Sequence, residues 1–116
     1  MLMDCRSFEV VSRLTGECCQ VEFRWLQTAI SLRHSDTVDV QFAVNGAGRI
    51  VALPHGALEQ ACHAAGVPLG DDLCIRIAAE CLRESLEAGE DPGSEPLTVA
   101  PKRVAELVDA QPVGHD

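Results

Sequence analysis

The chain reads as an α+β domain: an antiparallel sheet of about four strands, built as two hairpins, covered by helices and closed by a short C-terminal helix. Three observations predict this. Residues alternate apolar and polar over Cys19–Leu26 and Val38–Val44, the period of a half-buried strand. Asn45-Gly46 lies between two apolar runs, a strong short-range hairpin signal. Helical periodicity begins only after Pro54, without β-α-β alternation, which argues for segregated strands and helices.

Phe8–Leu14 forms a first strand, closed by Thr15-Gly16. Cys19–Leu26 returns beside it, with Cys19, Val21, Phe23 and Trp25 on one face and Gln20, Glu22 and Arg24 on the other. Thr28–His34 either continues that strand after a bend or forms another, and Ser35-Asp36-Thr37 supplies turn residues. Val38–Val44 points Val38, Val40, Phe42 and Val44 inward, and Arg49–Leu53 pairs with it across the Asn-Gly turn. A first helix over 56–65 ends at Gly66, well suited to a left-handed cap. The second helix is capped by Asp71 or Asp72 and ends at Gly89, with Arg76/Glu80 and Arg83/Glu87 at i,i+4 spacing. Glu90–Glu95 is an acidic, turn-rich linker, Leu97–Val99 a short edge strand, and Pro101–Ala110 a last helix. Residues 1–110 form one domain, and 111–116 are expected to be a flexible tail.

The second helix carries more apolar surface than one sheet needs. At about 100° per residue, Arg76, Glu80, Arg83, Glu84 and Glu87 fall in an arc of roughly 100°. Leu73 lies inside that arc, while Cys74, Ile75, Ile77, Ala78, Ala79, Cys81, Leu82, Leu86 and Ala88 cover about 200° of the rest. A stripe a little over about 100° suffices for packing on one sheet. The excess asks for a second cover, which could be the Pro101–Ala110 helix docked on Ile75, Leu82 and Leu86, a second subunit, or a ligand.

Composition limits the possible functions. With 116 residues the chain is one domain, and its three Phe, one Trp and no Tyr make the core aliphatic. The net charge of −9 is unevenly placed. Eight acids against two arginines lie between residues 71 and 95. Without a basic stripe, nucleic acid and anionic membranes are poor partners. No apolar run is long enough to span a bilayer, and the start MLMDCRSFEV lacks the features of a signal peptide. The expected compartment is the cytoplasm. Eight arginines against the single Lys102, with abundant alanine, fit the codon bias of a GC-rich bacterial genome.

The chemistry-bearing residues do not assemble into a motif. Cys5, Cys18, Cys19, Cys62, Cys74 and Cys81, with His55 and His63, lack the paired spacing of a zinc site, so no metal is expected. Cys74 and Cys81 lie two turns apart on an apolar helix face, where a reduced thiol acts as a small hydrophobe. Cys18-Cys19 point to opposite sheet faces, and neighbours Cys62 and His63 lie about 100° apart on a helix. Carboxylates of 71–95 read as a solvated surface. Asn45–Gly48 precedes a strand and lacks phosphate-loop spacing. No cofactor and no catalytic residue is expected. Trp25 is placed in the core by its alternation with Val21 and Phe23; on an open sheet face it would anchor a binding site or interface.

From Val38 to about Val104 the chain resembles small bacterial proteins of unknown function. The matching features are Phe42-Ala43-Val44 ending a strand, Ala57-Leu58 early in a helix, a second helix closing at Gly89, and Leu97-Thr98 before a short helix. The resemblance implies a compact α+β domain and carries over no catalytic residue. Short acidic proteins of this kind also occur on mobile gene cassettes. Two functions are expected from different classes. One is a non-enzymatic protein-interaction module that homodimerises, with Trp25, Ile75, Leu82 and Leu86 at the interface or facing a ligand. The alternative is a domain binding a small apolar ligand in a cavity between sheet and helices, lined by Trp25, Phe42, Ile77 and Leu82.

Overall fold

In the computed structural model, which describes residues 7–29, 37–90 and 96–110, the chain is an α+β fold with a single five-stranded sheet. The strands are β1 (Ser7–Val11), β2 (Cys18–Ala29), β3 (Thr37–Val44), β4 (Ala47–Pro54) and β5 (Leu97–Thr98), ordered β1-β2-β3-β4-β5. The first four form an antiparallel meander. The short β5 pairs parallel with β4, Val51 opposite Leu97 and Ala52 opposite Thr98. The sheet therefore has five strands where the alternation predicts about four. A two-residue strand carries too little periodicity to reveal its partner or direction.

Turn chemistry sets the meander. Asn45 and Gly46 both take positive φ, 51° and 87°, as a two-residue hairpin turn of matching twist requires. The Asn45 amide donates to the Gln20 carbonyl, and its side-chain oxygen accepts from the Gln20 amide, both at 2.8 Å. The turn is thereby tied to β2. β1 ends at Val11, earlier than its apolar run, because the Ser12 hydroxyl accepts from the amides of Leu14 and Thr15. Thr28 and Ala29 continue β2 opposite Val38 and Thr37. The rest of the Thr28–His34 stretch, Glu90–Glu95 beyond Glu90, and the 111–116 tail lie outside the described residues, as does Cys5.

The helices are α1 (His55–Ala65), α2 (Asp71–Glu87) and α3 (Pro101–Asp109). Gly66 at φ 70° ends α1, and Gly89 at φ 78° ends α2. At the end of α2 the Glu90 amide donates to the Ser85 carbonyl and Gly89 to Leu86, the paired bonds of a Schellman cap. Asp71 and Asp72 do not cap α2 as expected. Gly70 holds that position in extended backbone, and the two aspartates occupy the first turn, where they complement the helix dipole. Glu80 bonds Arg83 instead of Arg76, so Arg83 holds both Glu80 and Glu87.

All three helices lie on one face of the sheet. The inward residues Phe8, Val10, Val21, Val38, Val40, Phe42, Val51 and Leu53 form one core with Leu58, Ile77, Leu82, Val104 and Val108. Phe42 sits edge-on between Phe8 and Phe23, at centroid distances of 6.4 and 6.0 Å, a favoured aromatic geometry.

The broad apolar arc of α2 is covered inside the chain. One flank faces α3 and α1: Cys81 lines a depression with Val99, Ala100 and Arg103, Arg103 pairs with Glu84, and α1 packs closely on α3. At the other flank Leu86 meets Leu14 and Cys19 of the β1–β2 region, and the Arg13 amide donates to the Glu87 carbonyl at 2.8 Å. The last helix thus reaches the Cys81 side of α2, while Leu86 is met by the β1–β2 region. The reason is the sheet itself, whose β1 and β2 reach far enough to take the other side.

Candidate functional site

The face of the sheet away from the helices carries no described element, and one irregularity decides what it presents. β2 pairs with β3 in regular register as far as Phe23 opposite Phe42, then resumes with Trp25 opposite Gln41 and Leu26 opposite Val40. Arg24 is the extra residue of a β-bulge, which reverses inward and outward positions beyond it. Leu26 therefore packs against the core, while Trp25 turns to the outer face and stays 39% exposed. Strict alternation places Trp25 in the core; the bulge overturns that expectation.

Cross-strand partners share a face, so the outer surface can be read from the register. One row runs Trp25, Gln41, Ile50, and the next runs Glu22, Ala43, Gly48. On the other side Asp39 is followed by Ala52 and Thr98. Two large apolar side chains thus flank Gln41 over a floor of small residues. Arg24, Trp25, Gln41, Ala43, Gly46 and Gly48 line a shallow hollow of about 350 Å³. Gly48 helps to form its floor: a Cβ there would meet the Gln41 amide nitrogen at 2.7 Å, so the glutamine side chain lies directly over it. Bulges are enriched where a strand must re-aim a side chain. An exposed indole beside a floor of small residues, with the movable Gln41 amide over one end, has the shape of an anchor next to a socket.

The charge distribution favours this face as well. α2 through Glu90 carries six acids against Arg76 and Arg83 and lies with the helix layer. The outer face around Trp25 carries both signs, with Glu22 and Asp39 set against Arg24. The sheet face is therefore the less acidic side of the molecule.

The other expected site residues lie elsewhere. Ile75, Leu82 and Leu86 are 2%, 0% and 4% exposed within the single chain. Phe42 and Ile77 are fully buried with Leu82, while Trp25 is on the opposite side of the sheet. These four residues consequently do not line a common cavity, because the bulge separates Trp25 from the other three.

The described cysteines and histidines do not line the hollow beside Trp25. Cys18, Cys19, Cys62, Cys74 and Cys81 are free thiols, the last three buried. Burial pushes the Cys74 thiol up to about 11, with Asp71 and Cys62 adding to it. Burial likewise pushes Cys81 up to about 12, Glu84 adding and Arg103 opposing. A thiol held neutral is a poor nucleophile. His55 faces Glu59 one turn on, at 3.4 Å. Among the described residues no group of three His, Cys, Asp or Glu side chains could hold a metal ion. Nor is any helix among them long and apolar enough to cross a membrane.

The adjacent apolar pair Trp25-Leu26 was the available signal for the reversal, since alternation can bury only one of two neighbours. Comparison with protein-family models, curated proteins and solved structures gave no match for this chain.

Proposed function

We propose that this protein is a non-enzymatic interaction module that pairs with a second copy of itself through the helix-free face of its sheet. The observation that carries the reading is Trp25, the one tryptophan of the chain, turned out of the core by a bulge onto a face that no described element covers. An exposed Trp costs apolar hydration that a partner can remove, and Trp is among the residues that dominate interface energetics. The bacterial, cytoplasmic setting expected from composition suits this reading: five free thiols, three of them buried, are compatible with a reducing compartment.

The test is the solution mass of the intact chain by sedimentation velocity across a concentration series reaching hundreds of micromolar. A concentration-dependent monomer–dimer equilibrium is expected, and a monomer throughout overturns the reading. The hollow beside Trp25 favours a second reading, a site for a small ligand with an apolar face. Thermal stabilisation by such a compound, with the chain remaining monomeric, would select it.

A further inference from the structure

We infer that the two copies meet face to face about a two-fold axis, each Trp25 seated over the Ala43–Gly48 floor of the other; this rests on the self-association reading above. Trp25 and its hollow lie side by side on one surface, opposite and diagonal neighbours in the sheet register. A two-fold interface uses the same patch on both subunits, so a patch must contain both the projection and its complement. This one does. The two indoles are then brought together across the axis, where an offset or edge-on aromatic pair adds to the area they bury.

Electrostatics fix which sides of two copies approach. Of the net −9, the segment 71–95 contributes most, with eight acids against two arginines. Its described part, α2 through Glu90, lies on the helix side. Sheet-to-sheet pairing keeps these two acidic layers on opposite outer surfaces of the dimer. The rim of the hollow supplies both signs, Arg24 and Glu22, for the paired faces. Any pairing through the helix layer would instead bring the acidic surfaces together.

The size of the face sets the strength. The four long strands, of five, twelve, eight and eight residues, lie about 4.8 Å apart at about 3.4 Å per residue and make a surface on the order of 500 Å². Two of them bury on the order of 1,000 Å², at the lower edge of specific interfaces. A reversible dimer dissociating in the micromolar range follows, not an obligate one.

The lone Trp25 makes the test direct. Tryptophan emission and sedimentation are followed on the same concentration series, with Trp25→Ala and Gly48→Val as variants. Gly48→Val fills the hollow while displacing only the flexible end of Gln41, and a β-branched residue suits a strand. The expected result is a blue shift of emission that tracks dimer formation, with weakening by thirtyfold or so for Trp25→Ala, the scale of a hot-spot residue. Gly48→Val should weaken the dimer at least tenfold while keeping the wild-type circular dichroism. A dimer whose Trp25 emission does not change with concentration, or which survives both variants, overturns this geometry and leaves self-association through another surface. A chain monomeric at every concentration overturns both. The wild-type emission series decides the matter even if a variant fails to fold.

Discussion

Trp25 and Leu26 are adjacent apolar side chains in a strand that can bury only one of them. The fold turns the leucine toward the core, where it is partly buried. Opposite Leu26 stands fully buried Val40, an aliphatic partner that asks nothing of it, whereas a buried indole needs an acceptor for its N–H. Buried cysteines follow the same logic, since a thiol takes the place of a small hydrophobe without leaving a strong donor unpaired. Their ionisation gives a pH dependence whose sign is fixed. Cys74 is raised to about 11 and Cys81 to about 12 from an ordinary value of 9.0. Above pH 9 the unfolded chain releases protons that the folded chain retains, so their contribution is complete below pH 9 and is lost as pH rises toward those values. Urea midpoints are expected to be flat with respect to these thiols at neutral pH and to fall on alkaline titration. Cys81→Ala should make that fall shallower. At neutral pH a thiol alkylating reagent should modify exposed Cys18 in the native protein and reach Cys74 and Cys81 only after denaturation.

The ends of α1 and α2 form a natural comparison at the level of elements. Gly66 and Gly89 adopt nearly the same left-handed backbone, φ 70° and 78°, and each amide donates the same kind of capping bond, to the His63 and Leu86 carbonyls. Their surroundings differ. A Cβ at Gly66 would meet nothing within 4 Å, whereas one at Gly89 would collide with the Leu14 side chain, Cδ1 and Cγ first. Gly66→Ala should therefore cost only the left-handed penalty of about 1–2 kcal/mol. Gly89→Ala should cost that and more, because Leu14 must also move from the end of α2. Denaturant titrations of both variants, with Gly89→Ala repeated in a Leu14→Ala background, check this; equal losses at the two glycines would show that Leu14 gives way freely. Both glycines were readable as helix ends because the helical period stops beside a residue able to take positive φ. Leu14, 76% exposed yet lying against Gly89, was not readable as a neighbour of the α2 end. Its contact joins residues distant in sequence, and the Ser12 hydroxyl that bends the chain toward α2 competes with an apparently continuous strand. The same limit applies to α2: its excess of apolar surface could be counted from the residues, but which neighbour covered each flank depended on how far β1 and β2 extend.

For the molecule as a whole, the two hairpins and the three helices were legible because each satisfies its own period and turn residues. The connection that closes the fold was not. β5 contributes two residues, and its parallel pairing with β4 is fixed by the α1–α2 crossover instead of by any local pattern. The outer face was equally hidden, since one extra residue at Arg24 changes what the sheet presents without changing its composition. Closure through β5 and α3 has a calculable weight. Val99, Val104, Leu107 and Val108 are all buried, at 6%, 0%, 6% and 0% exposure. At about 1.5–3 kcal/mol for each buried aliphatic side chain, they contribute on the order of 6–12 kcal/mol before ordering costs. That is comparable with the whole stability of a typical domain, about 5–15 kcal/mol. α3 also shields α1 and the Cys81 side of α2, so its loss would open two further surfaces. A chain ended after Glu90 is therefore expected to lose cooperative unfolding, bind a hydrophobic dye and expose Cys62 and Cys81 to alkylation at neutral pH. A truncated chain that still melts cooperatively near the full-length temperature would show that the four-stranded meander with α1 and α2 is stable by itself, and that β5 and α3 are an addition to the core instead of its closure.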